Sequence, residues 1–219
     1  MRVIGIDCAL ARCSVAALDG GRVVAECHHD ADRGHAALVP VIVQHVLAIT
    51  GRAHSWFDLV AVTVGPGSFT GIRAGLAFAH GLVLAADLPL IGVRVSEALA
   101  EAVGPLDGRP IWTVIDNHRG RVFLDREGVL ASVPLAACPD PSGPIAVAGD
   151  AGAAVAAVLA ARGHDVILTE ARLPEARHVA VVGRRRFAGE LPPLSARPLY
   201  VDAPEARPPP GGLRAPPRP

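Results

Sequence analysis

The chain contains no lysine: all 21 of its basic residues are arginine. Schiff-base and lysine-nucleophile chemistry are therefore excluded, and so is a Walker phosphate loop, which needs one. Aromatic residues make up only 4% of the sequence, too few for an array of base-stacking platforms. Acidic and basic residues balance to a net charge of zero, so the chain alone lacks the counterion release that drives tight nucleic-acid binding. Its four cysteines (Cys8, Cys13, Cys27 and Cys138) show no CxxC spacing. Three of them fall on or beside apolar β segments, where a free thiol behaves as a small apolar group, and this favours reduced cysteines and a cytoplasmic setting. The longest apolar run, 74–86, is interrupted by His80 and falls short of the roughly 18 residues a membrane span needs. Asp7 comes too early for a signal-peptide core.

What the chain has in quantity is small apolar material. It is 51% hydrophobic with a mean hydropathy of +0.37, ample for the core of one large domain or two small ones in 219 residues. The most informative stretch is Val64-Gly65-Pro66-Gly67-Ser68-Phe69-Thr70-Gly71-Ile72-Arg73-Ala74-Gly75. Residues 58–64 before it are short, apolar and β-branched, and read as a buried strand. Residues 69–86 after it carry no proline and are too long for a strand, so they read as a helix with Ser68 as its N-cap. The glycine turn between them is either a tight strand-to-helix connection or an anion site presenting free amides. Gly71 and Gly75 lie one turn apart, each costing roughly 1 kcal/mol relative to alanine, so something must approach that helix backbone closely.

The first half reads β-β-β-α-β-α-β-α. The strands are 2–8, 13–19, 22–29, 58–64 and 88–93, and the helices are 35–50, 69–86 and 96–103. Asp19-Gly20-Gly21 signals a hairpin and Gly51 a helix C-cap. Gly104-Pro105-Leu106-Asp107-Gly108 breaks the pattern, giving domains at 1–104 and 105–202. The second half reads as strands 111–116 and 121–124, a proline-rich connection 134–144, strand 145–148, helix 151–162, strand 165–169 and helix 175–188. Residues 203–219 hold seven prolines among Arg, Gly and Ala, a composition that favours an extended or disordered tail. Such a tail either touches a nucleic acid or a protein partner, or is a solvated terminus.

Gly-Pro-Gly-Ser-Phe-Thr-Gly-Ile-Arg, after an apolar strand and opening a small-residue helix, resembles the signature of the bacterial TsaB (YeaZ) family. Arg2-Val3-Ile4-Gly5-Ile6-Asp7, Cys13-Ser14-Val15-Ala16-Ala17-Leu18, Gly34-His35, Leu88-Pro89-Leu90-Ile91-Gly92-Val93 and Ile115-Asp116 with Arg119-Gly120 are similar to further family segments in the same order. Pro198-Leu199-Tyr200-Val201 resembles its C-terminal motif. The resemblance is strong over residues 1–125 and weak beyond. It implies an α/β fold of the actin/Hsp70/sugar-kinase type (ASKHA), with duplicated β-β-β-α-β-α domains and a reduced second copy. It also implies a non-catalytic subunit of the apparatus that makes threonylcarbamoyladenosine in tRNA, working with a TsaD-like catalytic subunit and a TsaE-like ATPase. Isolated chains are expected to form homodimers, and tRNA is engaged through the complex.

Catalytic constellations are sparse beside this. Asp7 ends the first strand as the acid of an active superfold member would, but Cys8-Ala9-Leu10 supplies no hydroxyl to hold phosphate and metal. Gly149-Asp150-Ala151-Gly152 reads as a second phosphate loop or as another β-to-α turn. Asp7, Gly149 and Gly152 are thus the residues a vestigial nucleotide site would retain, and ATP or ADP is otherwise expected only at the partner interface. The positions that hold the metal-binding histidines of the catalytic paralogue are Val95 and Leu99 here, so no metal site is expected. Adjacent Cys27, His28 and His29 alternate across a strand. His35 and His45 do not share a helix face, and His118 with Asp116 fits a turn that caps its own backbone. A hydrolase, peptidase or kinase of the same superfold is the alternative these gaps disfavour. On the resemblance, a partner pairs with helices 35–50 and 69–86, through His35, Leu38, Ile42, Phe69, Gly71, Ile72, Gly75, Leu76 and Ala79. Gly71 and Gly75 are expected to let its helix come close.

Overall fold

A computed structural model describes residues 1–202; the expected tail, 203–219, lies outside the described residues. The first half builds strands β1 (Arg2–Leu10), β2 (Arg12–Asp19) and β3 (Arg22–Asp30), helix α1 (His35–Thr50), β4 (Leu59–Gly65), α2 (Phe69–Ala86), β5 (Leu90–Arg94) and α3 (Val95–Val103). The strands form one sheet in the order β3-β2-β1-β4-β5. β1 pairs antiparallel with β2 and parallel with β4, with Val3 opposite Leu18 and Leu59. β1 and β4 are buried along nearly their whole length, which is why both read as unbroken apolar runs rather than alternating ones. α1 and α2 end at the residues expected, and Gly51 adopts the left-handed conformation of a helix C-cap.

The second half builds β6 (Ile111–Asp116), β7 (Arg121–Arg126), β8 (Val129–Pro134), β9 (Ile145–Ala148), α4 (Gly152–Ala161), β10 (Val166–Leu168) and α5 (Ala176–Phe187). Its sheet runs β10-β9-β6-β7-β8. Numbered from each half's first strand, both sheets follow the same order, 3-2-1-4-5, with antiparallel pairing on one side of the first strand and parallel pairing on the other. This duplication is the actin/Hsp70/sugar-kinase architecture. The second copy is reduced most between its third and fourth strands: where the first inserts the sixteen-residue α1, the second has a single turn of 3-10 helix, Leu135–Ala137.

β8 is a correction to the sequence reading, which had no strand between 124 and 145. The hairpin before it is a two-residue turn, with Arg126 opposite Val129 and both Glu127 and Gly128 at positive φ. β8 is an edge strand whose residues are half-buried or exposed, so it lacks the alternation that marks a strand in sequence. We propose residue 104 as the sequence boundary between the two copies. α5, however, packs on the first sheet, on the face opposite α1 and α2.

The helices covering the first sheet sit closer than side chains permit. A Cβ on Gly71 of α2 would lie 2.1 Å from the Cys8 carbonyl oxygen. Across the sheet, one on Gly5 would lie 2.2 Å from the Ala176 carbonyl oxygen, and one on Gly183 of α5 would lie 2.4 Å from Ala61 Cβ. Gly75 is looser: its Cβ would meet Cys8 Cβ at 3.4 Å, an ordinary contact. Gly71→Ala should therefore lower the melting temperature by several degrees through overpacking of about 1–3 kcal/mol. Gly75→Ala should leave it unchanged or raise it, since helix propensity favours alanine by ~1 kcal/mol. Thermal melts of both variants check the pair, and equal destabilisation would contradict this packing.

Candidate docking surface and the remnant of a cleft

β4 delivers the chain into the Gly65-Pro66-Gly67 turn, where both glycines have positive φ. Gly67 cannot carry a side chain, because its Cβ would lie 2.3 Å from the Ala9 carbonyl oxygen. The Ser68 amide donates to that same oxygen at 2.7 Å, and the Ser68 hydroxyl accepts from the Gly71 amide at 3.2 Å. Ser68 is thus the N-cap expected, and its own amide is already committed to the β1–β2 turn. The geometry fits the tight-connection reading of the glycine turn rather than an anion site.

The expected interface residues mostly face inward. Gly71, Ile72, Gly75, Leu76 and Ala79 are the buried residues of α2, and Ile42 and His35 are buried on α1, with His35 Nε2 bonded to the Leu10 carbonyl at 3.0 Å. Leu38 is half-buried. Gly71 and Gly75 therefore receive the protein's own β1, not a partner helix, and that reading is corrected. Only Phe69 of the nine is exposed, at 59%. The outward face of the same two helices holds residues the sequence did not single out: Val41 (63% exposed), Ile49 (53%) and Leu84 (87%).

The N-terminal end of α2 carries a further cluster. The Arg73 guanidinium lies 3.6 Å from the Phe69 ring centroid and donates to Tyr200 Oη at 2.8 Å. Tyr200 is held there because the Leu199 amide donates to the Val64 carbonyl, so the C-terminal motif runs beside β4. α2 is apolar along much of its length, with 18 residues and a mean hydropathy of 1.4, although its longest apolar run remains 74–86. Only 28% of it is buried. Its inner face packs on β1 and β4, so the apolarity left over is on the outer face.

The residues expected of a vestigial nucleotide site divide between the two sheets. Asp7, on β1, is wholly buried; its Oδ1 accepts from Thr63 Oγ1 at 2.7 Å and from the Ala9 amide at 3.2 Å, while its Oδ2 has no partner. Gly149 follows β9 and Gly152 opens α4. The Gly149 amide donates to the Ala171 carbonyl, the Gly152 amide to the Gly149 carbonyl, and a Cβ on Gly149 would lie 2.1 Å from the Val114 carbonyl oxygen. Arg172 Nε donates to the Gly149 carbonyl at 3.2 Å. Amides that would cradle phosphate are thus spent on the fold, and the acid that would face a metal is sealed. These residues do not fit a bound nucleotide. Val95 and Leu99 lie in the core, and the Asp116 carboxylate accepts from the His118 amide at 2.7 Å, the self-capping turn expected.

Burial pushes the Asp7 carboxyl up to about 7 from an ordinary 3.8, against the opposing effect of its hydrogen bonds. Between those values the folded chain holds a proton that the unfolded chain has released, so stability falls as pH rises through this window. Asp7→Asn, which keeps a neutral group against Thr63, should therefore gain stability relative to the parent as pH goes from 5 to 8. Denaturant melts at the two pH values check this, and a difference independent of pH would rule out the buried titration.

Comparison with known proteins places these features. The family model described as "TsaD: tRNA N6-adenosine threonylcarbamoyltransferase" matches residues 27–133. The Escherichia coli (strain K12) protein "tRNA threonylcarbamoyladenosine biosynthesis protein TsaB" is 36% identical over 125 residues, 56% of this chain and 53% of that protein. The Bacillus subtilis (strain 168) protein of the same name is 29% identical over 123 residues, 56% and 53% of the two chains. The chain spans about half the length of the curated relatives it matches. Among solved structures, YeaZ from Pseudomonas aeruginosa superposes with a TM-score of 0.76 at 25% identity, over 91% of this chain and 99% of that one. The ethanolamine utilization protein EutJ from Carboxydothermus hydrogenoformans, at 14% identity and a TM-score of 0.54 over 84% and 90% of the two chains, shares the fold.

Proposed function

The chain belongs to the TsaB (YeaZ) family, and on that premise we propose that it is a non-catalytic subunit of the tRNA threonylcarbamoyladenosine apparatus. Its part is to dock a TsaD-like catalytic subunit through the outer face of α1 and α2, in a cytoplasmic complex that also includes a TsaE-like ATPase. The complex transfers a threonylcarbamoyl group from its adenylate to the adenosine beside the anticodon. The observation that carries the reading is α2 itself, an 18-residue helix of mean hydropathy 1.4 whose outward side leaves Phe69 and Leu84 exposed on a folded domain. Exposed apolar surface of that kind marks a site of association.

The occupant follows from kinship and shape. The TsaD-type match at 27–133 includes all of α1 and α2, so a TsaD-like partner has a helix pair of the same origin to lay against this one. In its absence a second copy of this chain offers the same face, hence the homodimer we propose for the isolated protein. Val41, Ile49 and Leu84 supply apolar contact, and the Phe69–Arg73–Tyr200 cluster places aromatic and guanidinium groups, the types that anchor interfaces, at one end of it. Zero net charge supports tRNA contact through the partner rather than by this chain alone. We read Asp7, Gly149 and Gly152 as vestiges of a nucleotide site, and ATP or ADP as a ligand of the partner interface. The sealed Asp7 supports this reading over an autonomous hydrolase, peptidase or kinase.

Leu84→Glu and Val41→Glu test it, because both side chains are exposed and contribute little to the folded monomer. Each should leave the melting temperature within a degree or two and weaken association with a co-expressed TsaD-like subunit about tenfold or more, with threonylcarbamoyl transfer falling in step. Unchanged affinity in the double variant, measured by titration calorimetry, would remove this face from the interface.

A further inference from the structure

We propose that Cys8 and Cys13 form an intramolecular disulfide under peroxide, making the β1–β2 turn an oxidation site that governs how α1 and α2 are seated. The two sulfurs are 3.2 Å apart in the reduced protein. They face each other across adjacent antiparallel strands where the pairing is irregular, between Asp7 opposite Ser14 and Leu10 opposite Arg12. A disulfide bond is about 2.05 Å long, so the sulfurs need to approach by roughly 1.1 Å, within reach of a small side-chain rotation. Cys27 and Cys138 are also free thiols, and neither takes part in such a contact among the described residues.

The location gives the bond a consequence. The loop it closes holds residues 9–12, and two carbonyls of that loop position the docking helices. The Ala9 carbonyl accepts from the Ser68 amide at the cap of α2, and the Leu10 carbonyl is bonded to His35 at the start of α1. Over the pair, α2 presents glycine at two successive turns: the Cys8 carbonyl lies beneath Gly71, and Cys8 Sγ would be 3.5 Å from a Cβ on Gly75. Drawing the sulfurs together moves Cys8, which lies with Val62 beneath Gly75, and fixes the turn to which the starts of both helices are bonded.

Burial and the neighbouring thiol hold Cys8 protonated, and both sulfurs are at most 1% exposed, so a bulky disulfide is a poor oxidant here. A small hydroperoxide is the suitable class. When local opening of the β1–β2 turn admits hydrogen peroxide, one thiol gives up its proton and its sulfur attacks the O–O bond. That sulfur becomes a sulfenic acid while the leaving hydroxide carries the proton away as water; burial makes this first step slow. The second sulfur then attacks the sulfenic sulfur, the S–S bond forms and a second water departs. Two thiol hydrogens and one peroxide become one disulfide and two waters, with two electrons passing from sulfur to peroxide oxygen. Contact between the sulfurs makes the second step intramolecular, ahead of further oxidation of the first.

The test uses the full chain. It is treated with hydrogen peroxide, quenched with catalase, alkylated with N-ethylmaleimide in denaturant and digested with trypsin. Cleavage after Arg2, Arg12 and Arg22 places the two cysteines on separate peptides, 3–12 and 13–22. The expected product is these peptides joined, lighter than their sum by two hydrogens, absent after dithiothreitol and absent from Cys8→Ser and Cys13→Ala chains. Amide exchange of the oxidised chain should slow at residues 9–12 and at the first turns of α1 and α2. Recovery of Cys8 and Cys13 as alkylated or sulfinic forms only, or linkage to Cys27 or Cys138, would overturn the assignment. A linked peptide with unaltered exchange at both helix starts would overturn its effect on their seating.

Discussion

The first sheet is held between helices at distances that only glycine allows. On one face Gly71 lets α2 down onto the carbonyl of Cys8; on the other, Gly5 admits the carbonyl of Ala176 and Gly183 rests α5 on the side chain of Ala61. Each glycine weakens its own element by roughly 0.5–1 kcal/mol. That loss is offset by contact, because an interior packed without gaps gains dispersion from every atom pair brought to van der Waals distance. The arrangement also joins parts of the chain that are distant in sequence. α5 is contributed by the second half, so the first sheet lacks one of its two covers until residues 176–187 return to it.

That return is fastened by one buried group more than by the surface charges around it. Arg12 with Glu175, Arg177 with Glu26 and Arg185 with Glu101 join α5 to the rest of the first half, but these pairs are partly solvated and each contributes little. Arg186 differs. Its side chain is 3% exposed, and its guanidinium donates to the Gly92 carbonyl at 2.8 Å, the Pro192 carbonyl at 2.7 Å and Glu97 at 2.5 Å. α5, β5, α3 and the segment after α5 therefore meet at a single satisfied cation, whose removal would take the donor from two carbonyls and from the half-buried Glu97 carboxylate, which keeps only the Arg94 amide.

How much of this could be read from sequence depended on whether a residue's role is set by its neighbours in the chain. The boundaries of α1 and α2 were legible because caps and hydrophobic spacing are local, and so was the repeated strand-rich pattern of the two halves. The direction of the Gly71–Gly75 stripe was not. A stripe of small residues records that some backbone comes close, and in a helix apolar on most sides nothing local says whether that backbone is the protein's own. β8 was missed because an edge strand need not bury one face, although Glu127-Gly128 was a turn signal available beforehand. Tyr200 was seen as part of a motif but not placed, because its partner Arg73 is 127 residues away in the chain.

The two copies of the fold differ where docking is concerned, and the difference limits assembly. A broad apolar surface needs two helices side by side on one face of a sheet. The first copy has them in α1 and α2, while the second replaces the counterpart of α1 by a single 3-10 turn and keeps only α4. Each chain thus offers one such surface. If that surface is where the TsaD-like subunit binds, as proposed, then a second copy of this chain and the catalytic partner compete for the same residues. The self-associated form is then a reservoir that keeps α2 covered, and the amount of free partner sets how much of it is drawn into the complex by mass action. The sealed Asp7 and the filled Gly149 turn fit the same division of labour: their polar groups are committed to the fold itself, Asp7 to Thr63 and the Ala9 amide, Gly149 to Ala171 and Arg172.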